Sequence, residues 1–383
     1  TGCVADCNGV IGGPALPGTA CNDNNPNTGP DLWTADCQCV GAPLCTPPSN
    51  VVVSGTSPIC AGTSLQLSYT AAGTAGSVVW TGPAGATFSP NATSANVTVS
   101  NAVSGTYTAT VTNACGSSSG NRAVVVTPAP NATIAYASPI CASAGTVSVT
   151  RTGSAGCTYS GTGNLAINSS TGAITPANST PGTYTVTYSI PASGGCAAYS
   201  TTTSVTINAA PTASISYAGG PFCRSFVGSV TPTRTGTSGG TYSAPVGLTI
   251  NASPGPITPS SSQAGTYTVT YSVPAAGGCA AFSTTASVVI STPPEATISY
   301  NGSFCTSTPG NVAVVRTGSA GGTYSAPQGL TINASTGAIT PSTSTAGTYT
   351  VTYQIAAGGG CAAVSTTTSV TINAAPTATI AYN

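Results

Sequence analysis

Residues 182–188 read Gly-Thr-Tyr-Thr-Val-Thr-Tyr, and the same seven residues return at 265–271 and again at 347–353. Cys141, Cys223 and Cys305 keep the same rhythm, in two equal steps. Self-similarity at a fixed period signals an array of small units rather than one large core. Units of about 82 residues sit near the lower limit for a self-sufficient core. Such units need staples, and the chain holds 15 cysteines. A long molecule of repeated modules is expected, ahead of any single active site.

The pattern inside a repeat is that of strands. Tyr184, Val186, Tyr188 and Ile190 share one face of an extended segment, and Thr183, Thr185, Thr187 and Ser189 share the other. Period-two alternation of aromatic and β-branched residues marks a half-buried strand. Residues 201–207 end in a similar strand, Val147 and Val149 alternate with Ser148 and Thr150, and residues 165–174 read as strand, turn, strand. Turn signals at about 8–12 residue spacing predict a seven-stranded antiparallel sandwich, and no segment reads as a helix. The expected fold class is all-β: a tandem array of Ig-like antiparallel β-sandwiches preceded by a small disulfide-rich loop module.

The modules are expected at 1–47 (Cys-rich), 48–129 (a divergent Ig-like domain), 130–210, 211–293 and 294–376 (Ig-like repeats), with 377–383 as the first strand of a further repeat. Linkers as short as Ala209-Ala210-Pro211 leave little freedom between neighbours. Residues 371–378 copy 206–213, a junction between repeats, and the chain starts at Thr1. Both features suggest an excerpt of a longer polypeptide. The divergent domain keeps Cys60, Gly105-Thr106-Tyr107 and Cys115 and adds Trp80, expected in the core between the sheets.

Charge is nearly absent. Charged residues are 3% of the chain, net charge is zero, and there is no His, where ordinary domains hold about a quarter charged residues. Nothing here neutralises a phosphate backbone, so nucleic acid is excluded as a partner. No window approaches the ~18 apolar residues of a membrane span. The acids are Asp6, Asp23, Asp31 and Asp36 in the first module and Glu295 in a linker. No β-domain therefore holds a pair of acids, and no Gly-rich phosphate loop opens a helix. The chain is expected not to be an enzyme. Abundant cysteine without histidine argues for disulfides in an oxidising compartment rather than zinc. The expected location is extracellular, as a cell-surface filament or a secreted protein.

Residues 329–339 (Gly-Leu-Thr-Ile-Asn-Ala-Ser-Thr-Gly-Ala-Ile), followed by Ala-Gly-Thr-Tyr-Thr-Val at 346–351, resemble bacterial Ig-like and cadherin-like surface repeats. A Cys ahead of the second strand with a Gly-Cys after the sixth, as in Cys305 with Gly360-Cys361, is similar to the Ig-like and PKD-like repeats of giant Bacteroidota adhesins. Residues 18–23, Asp31-Leu32-Trp33 and residues 37–41 resemble a short Cys-rich module of the same proteins. The resemblance implies export through the type 9 secretion system and a role in adhesion, gliding or prey capture.

The repeat cysteines admit two pairings. Within domains the pairs are Cys60–Cys115, Cys141–Cys196, Cys223–Cys279 and Cys305–Cys361, at nearly equal separations. Closing a loop of roughly 55 residues stabilises a small domain by roughly 4 kcal/mol in the chain-entropy model. In a simple sandwich, however, the first turn and the turn before the last strand lie at opposite poles. The alternative joins neighbours, Cys141 to Cys279 and Cys223 to Cys361, again at equal separations, and leaves Cys305 unpaired. Spacing does not choose between them; pairing within domains is preferred here. Cys3, Cys7, Cys21, Cys37, Cys39 and Cys45 are expected to form up to three disulfides in the first module, with connectivity open.

Cys157 is the odd cysteine, replaced by Gly240 and Gly322 in the next repeats. It is a candidate intermolecular thiol, weighed against a thiol tucked among its neighbours. Asp23, Asn25, Asn27 and Asp31 place oxygens at alternate positions, as in half of a calcium loop. Calcium in residues 23–31 is therefore the candidate cofactor, with Asx-turns as the simpler account. Arg151, Arg234 and Arg316 recur before Thr-Gly and are expected to cap the core edge on backbone carbonyls.

The function expected is an extracellular structural or adhesive protein, a stiff rod or homo-oligomeric filament that attaches to surfaces or other cells. Its expected partners are copies of itself, with cell-surface glycans or other cells as further candidates. Neutral Thr-rich faces favour lateral packing of copies, because no charge repels them. The alternatives are a carbohydrate-binding array using Trp33 or Trp80, and a stalk for a functional domain elsewhere.

Overall fold

The computed structural model describes residues 5–26, 28–43 and 45–380. Cys3, Asn27 and residues 381–383 lie outside them. The contacts divide the chain into two compact units, Thr1–Ser138 with Gly145–Ile207, and Pro139–Ala144 with Asn208–Asn383. All regular structure among the described residues is β, apart from three short 3-10 turns led by Pro176, Pro259 and Pro341.

The first unit opens with the Cys-rich module. Among its described residues, a hairpin pairs Thr28–Trp33 with Cys39–Pro43. So small a hairpin has no core of its own. Two disulfides, Cys7–Cys37 and Cys21–Cys39, and one buried carboxylate hold the loops around it. Asp6 accepts N–H bonds from Val10, Ala15 and Asn8 at 2.9–3.0 Å. These bonds, that from Val10 above all, keep its pKa below the usual carboxylate value.

The first sandwich stacks two sheets. One runs Ser49–Gly55, Leu65–Ala72, Asn96–Val99, Phe88–Ser89, and the other Gly116–Val124, Gly105–Asn113, Ser77–Thr81. Alternation along each strand turns Leu65, Leu67, Val97, Val99, Tyr107, Ala109 and Val111 inward. Trp80 lies among them, 2% exposed, with its Nε1–H on the Ser94 carbonyl at 2.9 Å. Burial of the indole requires that partner.

The later repeats are plainer. In the third, Ala213–Ser216 pairs with Thr233–Gly236, and a four-stranded sheet joins Phe222–Cys223, Phe282–Ser291, Gly265–Val273 and Thr241–Ser243. That makes six strands rather than seven. The segments read as strand, turn, strand shrink to single bridges, Ile167↔Ile174, Ile250↔Ile257 and Ile332↔Ile339. The Pro-led 3-10 turn that follows each one ends the pairing at once, since proline brings no N–H to a ladder. Residues 377–380 form no strand either. Their counterpart, Ala213–Ser216, is held by Thr233–Gly236, and a strand exists only where a partner takes up its N–H and C=O groups.

A hydroxyl fixes the start of the long inner strand in every sandwich. Tyr107, Tyr267 and Tyr349 donate to the carbonyls of Val103, Gln263 and Thr345 at 2.8–3.0 Å, and Tyr184 does the same to Thr180. This tyrosine corner is a hallmark of Ig-like sandwiches, and it explains why Gly-Thr-Tyr recurs in all four. The outward face of the same strands carries hydroxyls. Thr183, Thr185 and Thr187 lie opposite Thr206, Ser204 and Thr202, and Thr348, Thr350 and Thr352 opposite Thr371, Ser369 and Thr367.

Candidate functional site

The chemistry of this chain is concentrated where one repeat meets the next. The last strand of a repeat runs toward its successor, and a two-residue strand ending in Cys lies parallel beside its final residues. Cys60 pairs with Thr127, Cys223 with Ser291 and Cys305 with Asn373 in this way. The N–H after each Cys closes the contact. Ala61, Arg224 and Thr306 donate to the Thr127, Ser291 and Asn373 carbonyls at 2.8–3.0 Å. The first-turn cysteine therefore stands at the exit end of its repeat.

The second cysteine stands at the entry end. It closes a two-residue hairpin, Ser193-Gly194-Gly195-Cys196, repeated as Ala276–Cys279 and Gly358–Cys361. Both central glycines are left-handed, at φ 57° and 79°, 58° and 78°, 61° and 78°. That is a type I′ turn, which requires positive φ at both positions and so favours glycine. The second glycine has a further reason. A Cβ there would fall 2.4, 2.2 or 1.9 Å from the carbonyl oxygens of Pro58, Pro139 and Pro221. The bare Cα rests on the backbone two residues before the partner cysteine.

Sulfur completes the contact. The disulfides are Cys60–Cys196, Cys141–Cys279 and Cys223–Cys361, with Cα–Cα distances of 4.6, 4.7 and 4.8 Å. The preferred pairing within domains, Cys60–Cys115, Cys141–Cys196, Cys223–Cys279 and Cys305–Cys361, is thereby corrected to the pairing between neighbours. The reason is length. Within the third repeat the ten-residue strand Phe282–Ser291 separates Cys223 from Cys279, roughly 33 Å at ~3.3 Å per residue. A disulfide needs about 4.4–6.8 Å between Cα atoms.

Cys115 and Cys45 follow the same logic. Cys45 does not close the first module but bonds Cys115 of the first sandwich. Asn113 braces the joint, donating from Nδ2 to the carbonyls of Thr46 and Thr74 at 2.9 and 3.0 Å. Every module up to the fourth sandwich is thus bonded to the one before it. The end of the last strand also faces the first glycine of the incoming turn. Asn208 Nδ2 donates to the Gly277 carbonyl at 2.8 Å, and Ser291 lies against Gly359.

The recurrent arginines and Asp23 are structurally engaged. Arg151, Arg234 and Arg316 lie 5.7–5.8 Å from the ring centres of Tyr188, Tyr271 and Tyr353. Each also donates to two carbonyls in the following turn, such as Gly236 and Thr237 at 2.9 Å. They cap the core edge. Asp23 and Asp31 are brought together, but Asp23 already accepts from the Asn25 and Gly41 amides and the Thr28 hydroxyl, and Asp31 from the Asp23 amide. Asp31 Oδ1 is buried against the Gly41 Cα without a partner among the described residues. No group of three or more metal-binding His, Cys, Asp or Glu occurs among those residues. Cys157 is a free, half-buried thiol in a cleft of about 590 Å³ with Arg151, Tyr159 and Tyr188. At its place the later repeats use the Gly240 and Gly322 amides to donate to the Tyr271 and Tyr353 hydroxyls.

No protein-family model and no curated protein matches the chain. Among solved structures it is similar to the N-terminal eight Ig domains of Down Syndrome Cell Adhesion Molecule, at 12% identity and a TM-score of 0.43 over 86% of this chain. The chain spans about half of that structure, 49%. It is also similar to titin domains I67–I69, at 14% identity and a TM-score of 0.40 over 64% of this chain and 98% of that one. Invasin, a bacterial integrin-binding protein, matches at 17% identity and a TM-score of 0.34 over 85% of this chain and 79% of its own.

Proposed function

We propose that the chain is an extracellular structural and adhesive protein, which holds tension along a line of Ig-like modules and assembles with copies of itself into a filament. The modules are taken at 1–47, 48–129, 130–210, 211–293 and 294–376. One observation carries the proposal: disulfides join the exit end of one repeat to the entry turn of the next. Force then crosses from repeat to repeat on sulfur bridges, and most of each bridged repeat lies off the shortest covalent route. Cell-surface glycans or other cells are the targets at its end, and the Bacteroidota kinship and type 9 export belong to the same proposal on motif resemblance.

Lateral assembly uses the hydroxyl faces. Cross-strand pairs such as Thr183–Thr206 at 3.1 Å and Thr348–Thr371 at 3.2 Å give a neutral, patterned surface without charge repulsion. Asp6 and Asp23 are occupied by backbone amides, which leaves neither carboxylate free for acid–base work. The carbohydrate-binding alternative loses Trp80 and the recurrent tyrosines, which are buried. Electron microscopy of unreduced protein tests the filament. Filaments should form, and the triple substitution Thr185→Lys, Thr268→Lys, Thr350→Lys on exposed outward positions should disperse them without unfolding the repeats. Monomers alone at all concentrations would overturn it.

A further inference from the structure

Cys305 is a free thiol at a place where its equivalents are bonded. Cys60, Cys141 and Cys223 each occupy the exit end of a repeat, and each is joined to the Gly-Gly-Cys turn of the following repeat. Cys305 has the same setting. Phe304–Cys305 pairs in parallel with Ile372 and Asn373. The Thr306 amide donates to the Asn373 carbonyl at 2.9 Å, as Ala142 does to Asn208 at 2.8 Å. The Ser307 hydroxyl lies 3.1 Å from the Cys305 sulfur, matching Ser143 on Cys141 at 3.2 Å and Ser225 on Cys223 at 3.1 Å. Asn373 holds the position from which Asn208 grips the Gly277 carbonyl. What differs is exposure: Cys141 and Cys223 are 2% exposed, whereas Cys305 is half-buried and Asn373 is open.

We infer that Cys305, Ser303 and Asn373 form a prebuilt half-joint that captures the Gly-Gly-Cys hairpin of a further repeat of this kind by a disulfide. The second glycine of that hairpin rests on the Ser303 carbonyl, as Gly360 rests on that of Pro221. Asn373 takes the carbonyl of the first glycine. The oxidant is a small disulfide such as oxidised glutathione. The Cys305 thiolate attacks one glutathione sulfur, that S–S bond breaks, and one glutathione thiolate leaves. The hairpin thiolate then attacks Cys305 sulfur and expels the second glutathione. Two thiol protons end on the two glutathione molecules, which carry the two electrons. Hydrogen bonds from Ser307, and then its backbone, hold the Cys305 pKa below the ordinary thiol value, which favours the attacking thiolate.

The inference rests on the joint described above and extends it to a repeat outside the four. The test appends a copy of residues 212–293 after Pro376, in a Cys157→Ser background with the appended copy of Cys223 also changed to Ser. Refolding in glutathione buffer should give a disulfide between Cys305 and the appended copy of Cys279, found by peptide mapping. Alkylation of Cys305 should fall by about tenfold or more, since a disulfide sulfur has no thiolate to react. Changing the second hairpin glycine of the copy to Ala should restore alkylation. A parallel arm mixes the unextended Cys157→Ser chain with a Cys223→Ser, Cys305→Ser chain, whose Cys361 is freed. A Cys305–Cys361 bond between chains there assigns the half-joint a second copy as its source. Equal alkylation with and without the appended repeat, or Cys305 bonded only to Cys305 of another copy, would overturn the inference. Mapping Cys60–Cys196, Cys141–Cys279 and Cys223–Cys361 in the same digest separates that failure from a failure of the resident joints.

Discussion

Stretching a single chain with its disulfides intact and then reduced measures the joints directly. An unfolded chain extends to about 3.5 Å per residue. Between Cys45 and Cys361 the reduced chain spans about 316 residues, hence a limit of about 1,100 Å. With the joints closed the shortest covalent route runs from Cys45 to Cys60, crosses to Cys196, runs on to Cys223 and crosses to Cys361. Only about 42 residues lie on it, so its limit is about 150 Å even if every repeat unfolds. Pairing within domains would leave about 94 residues on the route, or about 330 Å. The three limits are well separated in an optical trap or by atomic-force stretching. A limit of about 150 Å that rises to about 1,100 Å with reductant is expected. A limit of about 330 Å before reduction, the length that pairing within domains allows, would refute the inter-repeat joints. So would a limit that reduction leaves unchanged.

Gly360→Ala should destabilise the last joint, by about 1–2 kcal/mol from its φ of 78° alone. Steric conflict with the Pro221 carbonyl adds to this, whereas Gly239→Ala, at φ 85° with open space around it, isolates the dihedral part. A larger drop in melting temperature for the first, with Cys223 and Cys361 found as thiols, checks this. Tyr267→Phe removes the hydroxyl bond to Gln263 and should lower the stability of the third repeat by about 1 kcal/mol in denaturant titration. Trp80→Ala empties the centre of the first sandwich and should cost about 3–5 kcal/mol by the same measurement, leaving the later repeats unchanged. The pKa values of Asp6 and Asp23 are lowered, chiefly by the Val10 and Asn25 amides. Their stabilisation is therefore complete above the unfolded value of 3.8 and is lost as pH falls through the lowered folded values. Hydrogen exchange should show the first module opening below about pH 4 while the sandwiches stay protected.

Much of the architecture is legible in the sequence because strand periodicity is local. Tyr184, Val186 and Tyr188 alternate with threonines, and any sheet that buries one set must expose the other. Trp80 is legible for a similar reason: a large indole in a small sandwich has no other apolar place. The arginines before Thr-Gly are legible as caps, since a guanidinium at a strand end finds carbonyls in the following turn. The tyrosine corner escapes such a reading, although its Gly-Thr-Tyr signal stands in all four sandwiches. Its bond reaches a carbonyl four residues upstream, which alternation does not reveal.

The partner of each cysteine is different in kind. Both pairing schemes repeat with the period of the array, so spacing is silent, and Cys45 looks like a member of the knot beside it. The decision belongs to three dimensions. A ten-residue strand holds the two cysteines of one repeat a strand-length apart, and parallel pairing carries the first of them to the exit end. A glycine pair then turns the other onto it from the next repeat. The sequence by itself determined the repeating all-β pattern, because that follows from which neighbours alternate. Only the tertiary structure decided which sulfurs meet, because a bond of that length depends on where strands end.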